Sequence, residues 1–348
     1  MHRLSDFDYD LPSEQIAQHP LPDRSASRLL VLDRASGDIR HQYFRDLPGL
    51  IPPRDVLVIN TSRVIPARLR GKRDGGRGTG TGGDAEILLV RELPDRTWLA
   101  MGHPGGKLKP GRRVTFGDDS VVEIVEVLGG GLRRVRFVGA LDARATLAQY
   151  GEVPLPPYIR RAPDAADRER YQTVYAAHDG SVAAPTAGLH FTPELLADIY
   201  TRQVRVASLD LHVGPGTFKP VETEDISQHP MHAEAYDITP GAADWINHAL
   251  ERKRGVWGVG TTVVRALESA VDSAGLVGPG SGETALFIRP PYEFKVVTHL
   301  ITNFHLPRST LLMLVCAFGG YEHVMAAYRE AVREGYRFYS YGDAMLII

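Results

Sequence analysis

Between residues 86 and 138, five short runs rich in valine, isoleucine and leucine follow one another with only turns between them. They are Glu86 to Val90, Trp98 to Met101, Arg113 to Phe116, Val121 to Leu128 and Leu132 to Val138. No helical pattern intervenes, so these segments must find their partners among themselves. In the last run Arg134 and Arg136 alternate with Val135 and Phe137, the period of a strand with one buried face. Many short strands at this spacing predict a small antiparallel barrel or sandwich. Residues 67–152 therefore read as an inserted β domain, with Glu152 to Tyr158 (EVPLPPY) as a stiff, proline-rich return. Residues 71–83 hold seven glycines and no apolar anchor, which predicts a flexible loop within that insert.

The flanking stretches, 1–66 and 153–348, have a different texture. Asp55 to Ile59 is short, aliphatic and bounded by Pro53 and Asn60, and its lack of alternation predicts a central strand buried on both faces. Leu29 to Leu32 is a second short apolar run before a turn. Thr192-Pro193-Glu194 starts a helix to about Arg202 with a cap, a proline at the first helical position and an early acid. A strand follows over Val204 to Leu211. Thr239-Pro240 starts another helix, which stops at Arg252-Lys-Arg-Gly255. Val256 to Gly260 reads as a strand, Thr261 to Ala270 as a helix, and Tyr339 to Ile348 as a closing strand. Val324, Tyr328 and Val332 share one face of a last helix that ends at Gly335. Alternating helices and strands predict an α/β domain with a mainly open sheet. The expected architecture is α/β, a discontinuous main domain with an inserted antiparallel β unit.

Composition bounds the function classes. The chain has 348 residues and a net charge of −2, so an RNA site has to be a local patch and not the whole surface. The single cysteine, Cys316, lies in the apolar run Leu311 to Phe318 and reads as a core residue; with no intrachain disulfide possible, a cytoplasmic protein is expected. That run is also far too short to span a bilayer, and the acidic start MHRLSDFDYDLP does not resemble a signal peptide.

Four loops combine Gly, His and Thr in a way that packing does not demand. They are Ala184 to Thr192 (APTAGLHFT), Leu211 to Phe218 (LHVGPGTF), Gly258 to Arg265 (GVGTTVVR) and Thr302 to Pro307 (TNFHLP). Each lies after a strand or at a helix entry, where ligands of open α/β sheets sit. His190, His212 and His305 stand in them, although each alone is as readily structural as catalytic. His229, His232 and Glu234 look like a metal set, but Pro230 breaks the helix that would space them and no matching ligands follow. Arg63, Arg68, Arg70, Lys72, Arg73 and Arg77 form a basic cluster opposed in sequence only by Asp74; it reads either as a solvated face or as a contact to phosphates.

With these segments in view, the chain resembles the S-adenosylmethionine:tRNA ribosyltransferase-isomerase family over nearly its whole length. The resemblance is carried by DFDYDLP at 6–12 with IAQHP at 16–20, SRLL at 27–30, NTSRVIPARL at 60–69 and PPYI at 156–159. It continues through RYQTVYAAHDGSVAAPTAGLHFT at 170–192, LHVGPGTFKPV at 211–221 and HPMHAEAY at 229–236. VGTTVVRALES at 259–269, TNFHLPRSTLLMLVCAFGG at 302–320 and YRFYSYGDAMLI at 336–347 complete it. One departure is visible: the family's Asn-Asp-Thr is here Asn60-Thr61-Ser62 before Arg63, which loses a carboxylate.

The resemblance implies an α/β domain with an inserted β-barrel. It implies a tRNA substrate whose wobble guanine has been replaced by 7-aminomethyl-7-deazaguanine. S-adenosylmethionine is consumed as a co-substrate: its ribosyl group is transferred to the aminomethyl nitrogen and rearranged to an epoxycyclopentanediol. Epoxyqueuosine remains in the tRNA, and adenine and methionine leave. No resident cofactor, metal or membrane is expected, and a monomer is. That chemistry needs a base at the ribose 5′ position beside the sulfonium and an acid for the departing adenine. His190, His212 and His305 are the expected catalytic residues. Thr186, Gly188, Phe191, Gly214, Gly216, Thr217, Gly260, Thr261, Thr262 and Asn303 are expected to bind the small substrate, with Arg265 holding a carboxylate or phosphate. Arg63, Arg68, Arg70, Lys72 and Arg73 are expected to contact tRNA. Two rivals stay open: an RNA-binding module without turnover, and a metal-dependent hydrolase built on His229, His232 and Glu234.

Overall fold

A computed structural model describes residues 3–75, 81–214, 221, 223–231 and 233–348. In chain order the strands are β1 (Arg28–Leu32), β2 (Ile39–Tyr43), β3 (Val56–Asn60), β4 (Ser62–Val64), β5 (Arg68–Asp74), β6 (Thr81–Glu92), β7 (Trp98–His103), β8 (Arg113–Phe116) and β9 (Ser120–Val127). There follow β10 (Leu132–Phe137), β11 (Gly151–Glu152), β12 (His178–Ser181), β13 (Arg205–Leu211), β14 (Glu234–Ile238), β15 (Val256–Val259), β16 (Gly280–Thr284), β17 (His299–Asn303) and β18 (Ala344–Ile347). The α-helices are α1 (Ala143–Tyr150), α2 (Asp167–Arg170), α3 (Pro193–Thr201), α4 (Pro240–Glu251), α5 (Thr261–Ala270), α6 (Thr310–Gly319) and α7 (Tyr321–Arg333).

The flanking segments build a nine-stranded sheet in the order β16-β14-β13-β3-β15-β17-β18-β1-β2. Its centre, β13-β3-β15-β17, is parallel; the flanking pairs are antiparallel except β18 with β1, which is parallel. β3 is buried at every position, as its unbroken aliphatic run predicts. Alternation then divides its side chains: Val56 and Val58 join the core under α4 to α7, and Leu57 and Ile59 join the core under α3. Helix starts follow the expected chemistry. The Thr192 hydroxyl accepts from Leu195 N–H at 3.2 Å and Thr239 from Ala242 N–H at 3.2 Å, each followed by proline. Cys316 is buried in the larger core, where burial pushes its thiol pKa up. Among the described residues no single helix is long and apolar enough to cross a membrane.

The insert closes into a six-stranded antiparallel barrel in the order β5-β6-β7-β10-β9-β8, with β8 returning to β5. Leu69, Ile87, Leu89, Val114, Phe116, Val122, Ile124 and Val135 fill it. The glycine-rich stretch is strand at both ends, and its middle, residues 76–80 with Arg77, lies outside the described residues. Residues 71–74 belong to β5 and 81–83 to β6. Gly71 shows why: a Cβ there would lie 2.3 Å from the Thr115 carbonyl and 2.6 Å from the Phe116 ring, so glycine is what lets β8 close on β5. The last strand also differs. Tyr339 to Asp343 form a loop, and only Ala344–Ile347 pair in the sheet. A short parallel pair, β4 with β12, joins the body to the root of the barrel.

Candidate active site

The carboxyl ends of β3, β15 and β17 point the same way, so Asn60, Gly260 and Asn303 emerge on one side of the sheet. Gly260 turns the chain from β15 into α5 at φ +91°, a backbone conformation that favours glycine. A 3-10 turn at Thr186–His190 packs against this edge. Together they line a pocket that opens to solvent between Thr186, Gly260, Thr261, Thr262, Asn303 and His305. Tyr158, Tyr339 and Ser340 complete the wall. Six expected site residues thus meet in one cavity, from three loops far apart in sequence.

The cavity has unmet hydrogen-bonding capacity. Asn303 Nδ2 donates to the Tyr339 carbonyl at 3.2 Å, which fixes the amide's orientation, and contacts His190 Nε2 at 3.1 Å. His190 Nε2 must then accept, and Nδ1–H donates to Ser27 Oγ at 2.7 Å, which passes its own proton toward the Arg24 carbonyl. Asn303 Oδ1 is left buried with no partner, and so is Thr262 Oγ1. Orphaned atoms of this kind are costly unless something fills the space.

The three histidines separate. His190 is buried behind the cavity, stacked on Phe44 at 4.9 Å, and does not line it. Burial, with the Arg24 and Arg337 charges nearby, pulls its pKa down to about 3. His305 lines the cavity with Nε2 on Thr302 Oγ1 at 2.7 Å, and burial also pulls its pKa down to about 3. Both rings are neutral at neutral pH. His212 faces the other way. In the segment after β13, Val213 lines the first cavity, whereas His212 and Gly214 line a second, between the body and the barrel.

Other expected residues have structural work. Gly188 is buried where a Cβ would lie 2.2 Å from the Tyr175 hydroxyl, and Phe191 packs between Phe44 and Tyr175 in the core under α3; neither lines either cavity. Arg265 does hold a carboxylate, but it is the protein's own. Its guanidinium bonds Glu234 Oε2, the Leu286 carbonyl at 3.1 Å and the Thr284 carbonyl at 3.2 Å. Glu234 Oε1 in turn accepts from Gly214 N–H at 3.0 Å, so the pair anchors the His212 segment. Gly216, Thr217 and His232 lie outside the described residues. With Glu234 so engaged, no group of three His, Cys, Asp or Glu among the described residues could hold a metal.

The basic cluster is less exposed in charge than its sequence implies. Arg68 meets Glu86 at 3.2 Å, Arg70 lies between Glu86 (3.6 Å) and Glu152 (3.5 Å), and Lys72 meets Asp84 at 2.5 Å. Arg63 donates to the Ala176 carbonyl at 2.8 Å and lies 3.9 Å from Asp179. Strand pairing brings up carboxylates that sequence neighbourhood does not show. The missing family carboxylate at position 61 has a counterpart in space as well. Thr61 Oγ1 donates to Asp210 at 2.8 Å, and His178 Nδ1 meets the same carboxylate at 2.6 Å.

Two features escaped sequence reading. Glu268, one turn after Arg265 in α5, accepts from the N–H groups of Lys295, Val296 and Val297 at 2.9 to 3.0 Å and sets the approach to β17. Its spacing from Arg265 was the available signal. Trp98, at the start of a barrel strand, packs against the barrel's interior cluster and also lines the second cavity, and nothing local marks it.

The model of a family described as queuosine biosynthesis protein matches residues 4–347. The chain belongs to the queuosine biosynthesis family. It is 51% identical over 349 residues to the S-adenosylmethionine:tRNA ribosyltransferase-isomerase of Moorella thermoacetica, covering 99% of this chain and 100% of that one. The protein of the same name from Symbiobacterium thermophilum is also 51% identical, again with 99% and 100% covered. Among solved structures, the S-adenosylmethionine tRNA ribosyltransferase of Thermotoga maritima is 37% identical, with 99% of this chain and 100% of that chain covered, at a TM-score of 0.55.

Proposed function

We propose that this chain is an S-adenosylmethionine:tRNA ribosyltransferase-isomerase, the activity for which its relatives are named. The substrate is tRNA with 7-aminomethyl-7-deazaguanine at the wobble position. The ribosyl group of S-adenosylmethionine passes to the aminomethyl nitrogen and is rearranged, leaving epoxyqueuosine in the tRNA and releasing adenine and methionine. S-adenosylmethionine is a consumed co-substrate, and no resident cofactor is invoked. We take the protein to act as a monomer in the cytoplasm.

The observation that carries the reading is the first cavity. Family-matched loops converge there at strand ends, and Asn303 Oδ1 and Thr262 Oγ1 are left without partners. We assign this cavity to S-adenosylmethionine. Thr186, Thr261, Thr262 and Asn303 hold polar edges of the ribose and purine, and Gly260 allows the backbone to approach. Of the three histidines His305 lines this cavity, and we assign it to the proton beside the sulfonium, although the pKa near 3 that burial imposes makes it a weak base. His190 is a positioning residue that orients Asn303. Gly216 and Thr217, outside the described residues, remain candidates on the sequence alone. Arg63, in β4 at the root of the barrel, and Arg73, near the far end of β5, are the cluster members we assign to guiding the anticodon arm.

The test supplies S-adenosylmethionine with precursor-bearing tRNA and follows free adenine together with the mass of the wobble nucleoside. Adenine release with the matching mass gain is expected. A folded protein that releases no adenine overturns the assignment. His305→Ala is expected to lower kcat by 10²-fold or more, the range of a lost acid–base group. Unchanged kcat removes His305 from that role.

A further inference from the structure

The second cavity lies between the outer face of the barrel and the α/β body and holds about 1500 Å³, part of it open to solvent. Its barrel wall consists of Val90, Leu99, Met101 and Leu132, with the charged Arg91 and Glu92 and the indole of Trp98 completing it. The outer face of a small barrel normally carries polar side chains, because water is its neighbour. Here four apolar side chains face the cavity, and Arg91 at its edge bridges to Glu283 of the body at 2.9 Å. Val90 sits in a β-bulge: Leu89 pairs with Ala100 and Arg91 with Leu99, so Val90 is the extra residue. Bulges re-aim side chains and are frequent beside active sites.

Two polar atoms in the cavity's lining residues are also unspent. Trp98 Nε1 is buried without an acceptor, and on the opposite wall His212 Nδ1 is buried without a partner. Gly180, which lines the same wall, lies against the His212 ring. A Cβ on Gly180, whose φ is +150°, would lie 2.6 Å from it, so bare backbone packs on the imidazole. A largely apolar wall with an indole on one side, and an imidazole on the other with Asp179 also lining the space, suits a flat heterocycle with hydrogen-bonding edges and a cationic arm.

We propose that this cleft seats the acceptor nucleobase, turned out of the anticodon loop, stacked on Trp98 and hydrogen-bonded by His212 Nδ1. The inference rests on the reading that the chain modifies a tRNA base. Single-stranded bases are read in this way, by stacking on aromatic side chains with polar contacts to their edges. The placement also fits the first cavity. The segment His212 to Gly214 separates the two spaces and lines both, so a base in the cleft and a donor beyond Val213 would meet across it.

The experiment uses the full chain with Trp98→Ala and Trp98→Phe. Binding of an anticodon stem-loop carrying 7-aminomethyl-7-deazaguanine is measured separately from binding of S-adenosylmethionine in the absence of RNA. Trp98→Ala is expected to weaken the stem-loop by roughly 5- to 100-fold, Trp98→Phe to retain most of the affinity, and both to bind S-adenosylmethionine like wild type. In addition, the free modified base should quench tryptophan fluorescence in wild type and not in Trp98→Phe. Loss of S-adenosylmethionine binding with intact RNA affinity would assign the cleft to the donor and overturn the proposal. Unchanged stem-loop affinity in both variants would overturn it as well. Should Trp98→Ala unfold, Leu132→Asp on the same wall must give the same selective loss, and its absence counts against the cleft. None of these measurements needs turnover. A wild type that releases no adenine but shows the Trp98 dependence defeats the functional reading and leaves the cleft standing.

Discussion

At the scale of single residues, neutral histidine is the recurring device. His190 is buried with a pKa near 3, against about 6.5 in an unfolded chain. Its folded-state pKa is depressed, so the unfolded state binds the extra proton. The stability it contributes is complete above about pH 6.5 and is lost as pH falls toward 3. Between pH 6.5 and 5 this amounts to about 2 kcal/mol. Melting temperature should therefore fall on acidification over that interval, and His190→Gln should flatten the slope; a parallel slope in the variant refutes the linkage. Gly180 offers a sharper local test. Gly180→Ala pushes a methyl group into the His212 ring and should cost about 1–3 kcal/mol from overpacking. The same substitution should weaken RNA binding without touching S-adenosylmethionine binding, because His212 lines the cleft and not the first cavity. Equal loss of both ligands would show that the two spaces are not independent.

At the scale of elements, α5 is the organiser. It starts at the Gly260 turn, places Thr261 and Thr262 on the cavity, and carries two charged side chains inward. Arg265 fastens Glu234 and through it Gly214. Removing one partner of a buried ion pair strands the other, so Arg265→Ala should cost about 3–5 kcal/mol in chemical denaturation. Glu268 is acceptor for three consecutive N–H groups at the approach to β17. Glu268→Gln halves that acceptor capacity and should cost about 1–3 kcal/mol. By contrast Thr192→Ala, at the start of α3, removes only a cap; about 1 kcal/mol is expected, with kcat intact. The caps of α3 and α4, the doubly buried β3 and the barrel strands were legible because each depends on side-chain chemistry within a few residues. The strand character of residues 71–74 and 81–83 was not, because it comes from β8 closing on Gly71, a contact made across more than one strand.

At the scale of the whole molecule, electrostatics depends on the fold and not on the run of sequence. Lys72 is cancelled by Asp84 from the paired strand, and Arg70 lies within reach of Glu86 and Glu152. Affinity for tRNA should therefore respond unevenly. Arg73→Ala should reduce the slope of log affinity against log salt by about 1. Lys72→Ala should leave the slope nearly unchanged. Equal effects would mean that the barrel's internal pairs open on RNA binding. The division of labour follows the same geometry. The first cavity is walled by the body alone, whereas the cleft needs both body and barrel.

The sequence by itself determined the α/β body, the inserted β domain, most helix starts, and the loops at which ligand chemistry should collect. Periodicity, caps and glycine turns are local and survive translation into structure unchanged. Family motifs added the reaction. Only the tertiary structure decided which loop residues share a cavity. It put Thr186, Thr262, Asn303 and His305 together, turned His212 to the opposite side from Val213, and buried His190, Gly188 and Phe191 in supporting positions. The reason is that a strand's alternation says which neighbours face apart, but not which face meets an empty space. That depends on what the rest of the chain packs there, and on the carboxylates it brings to the basic barrel strands.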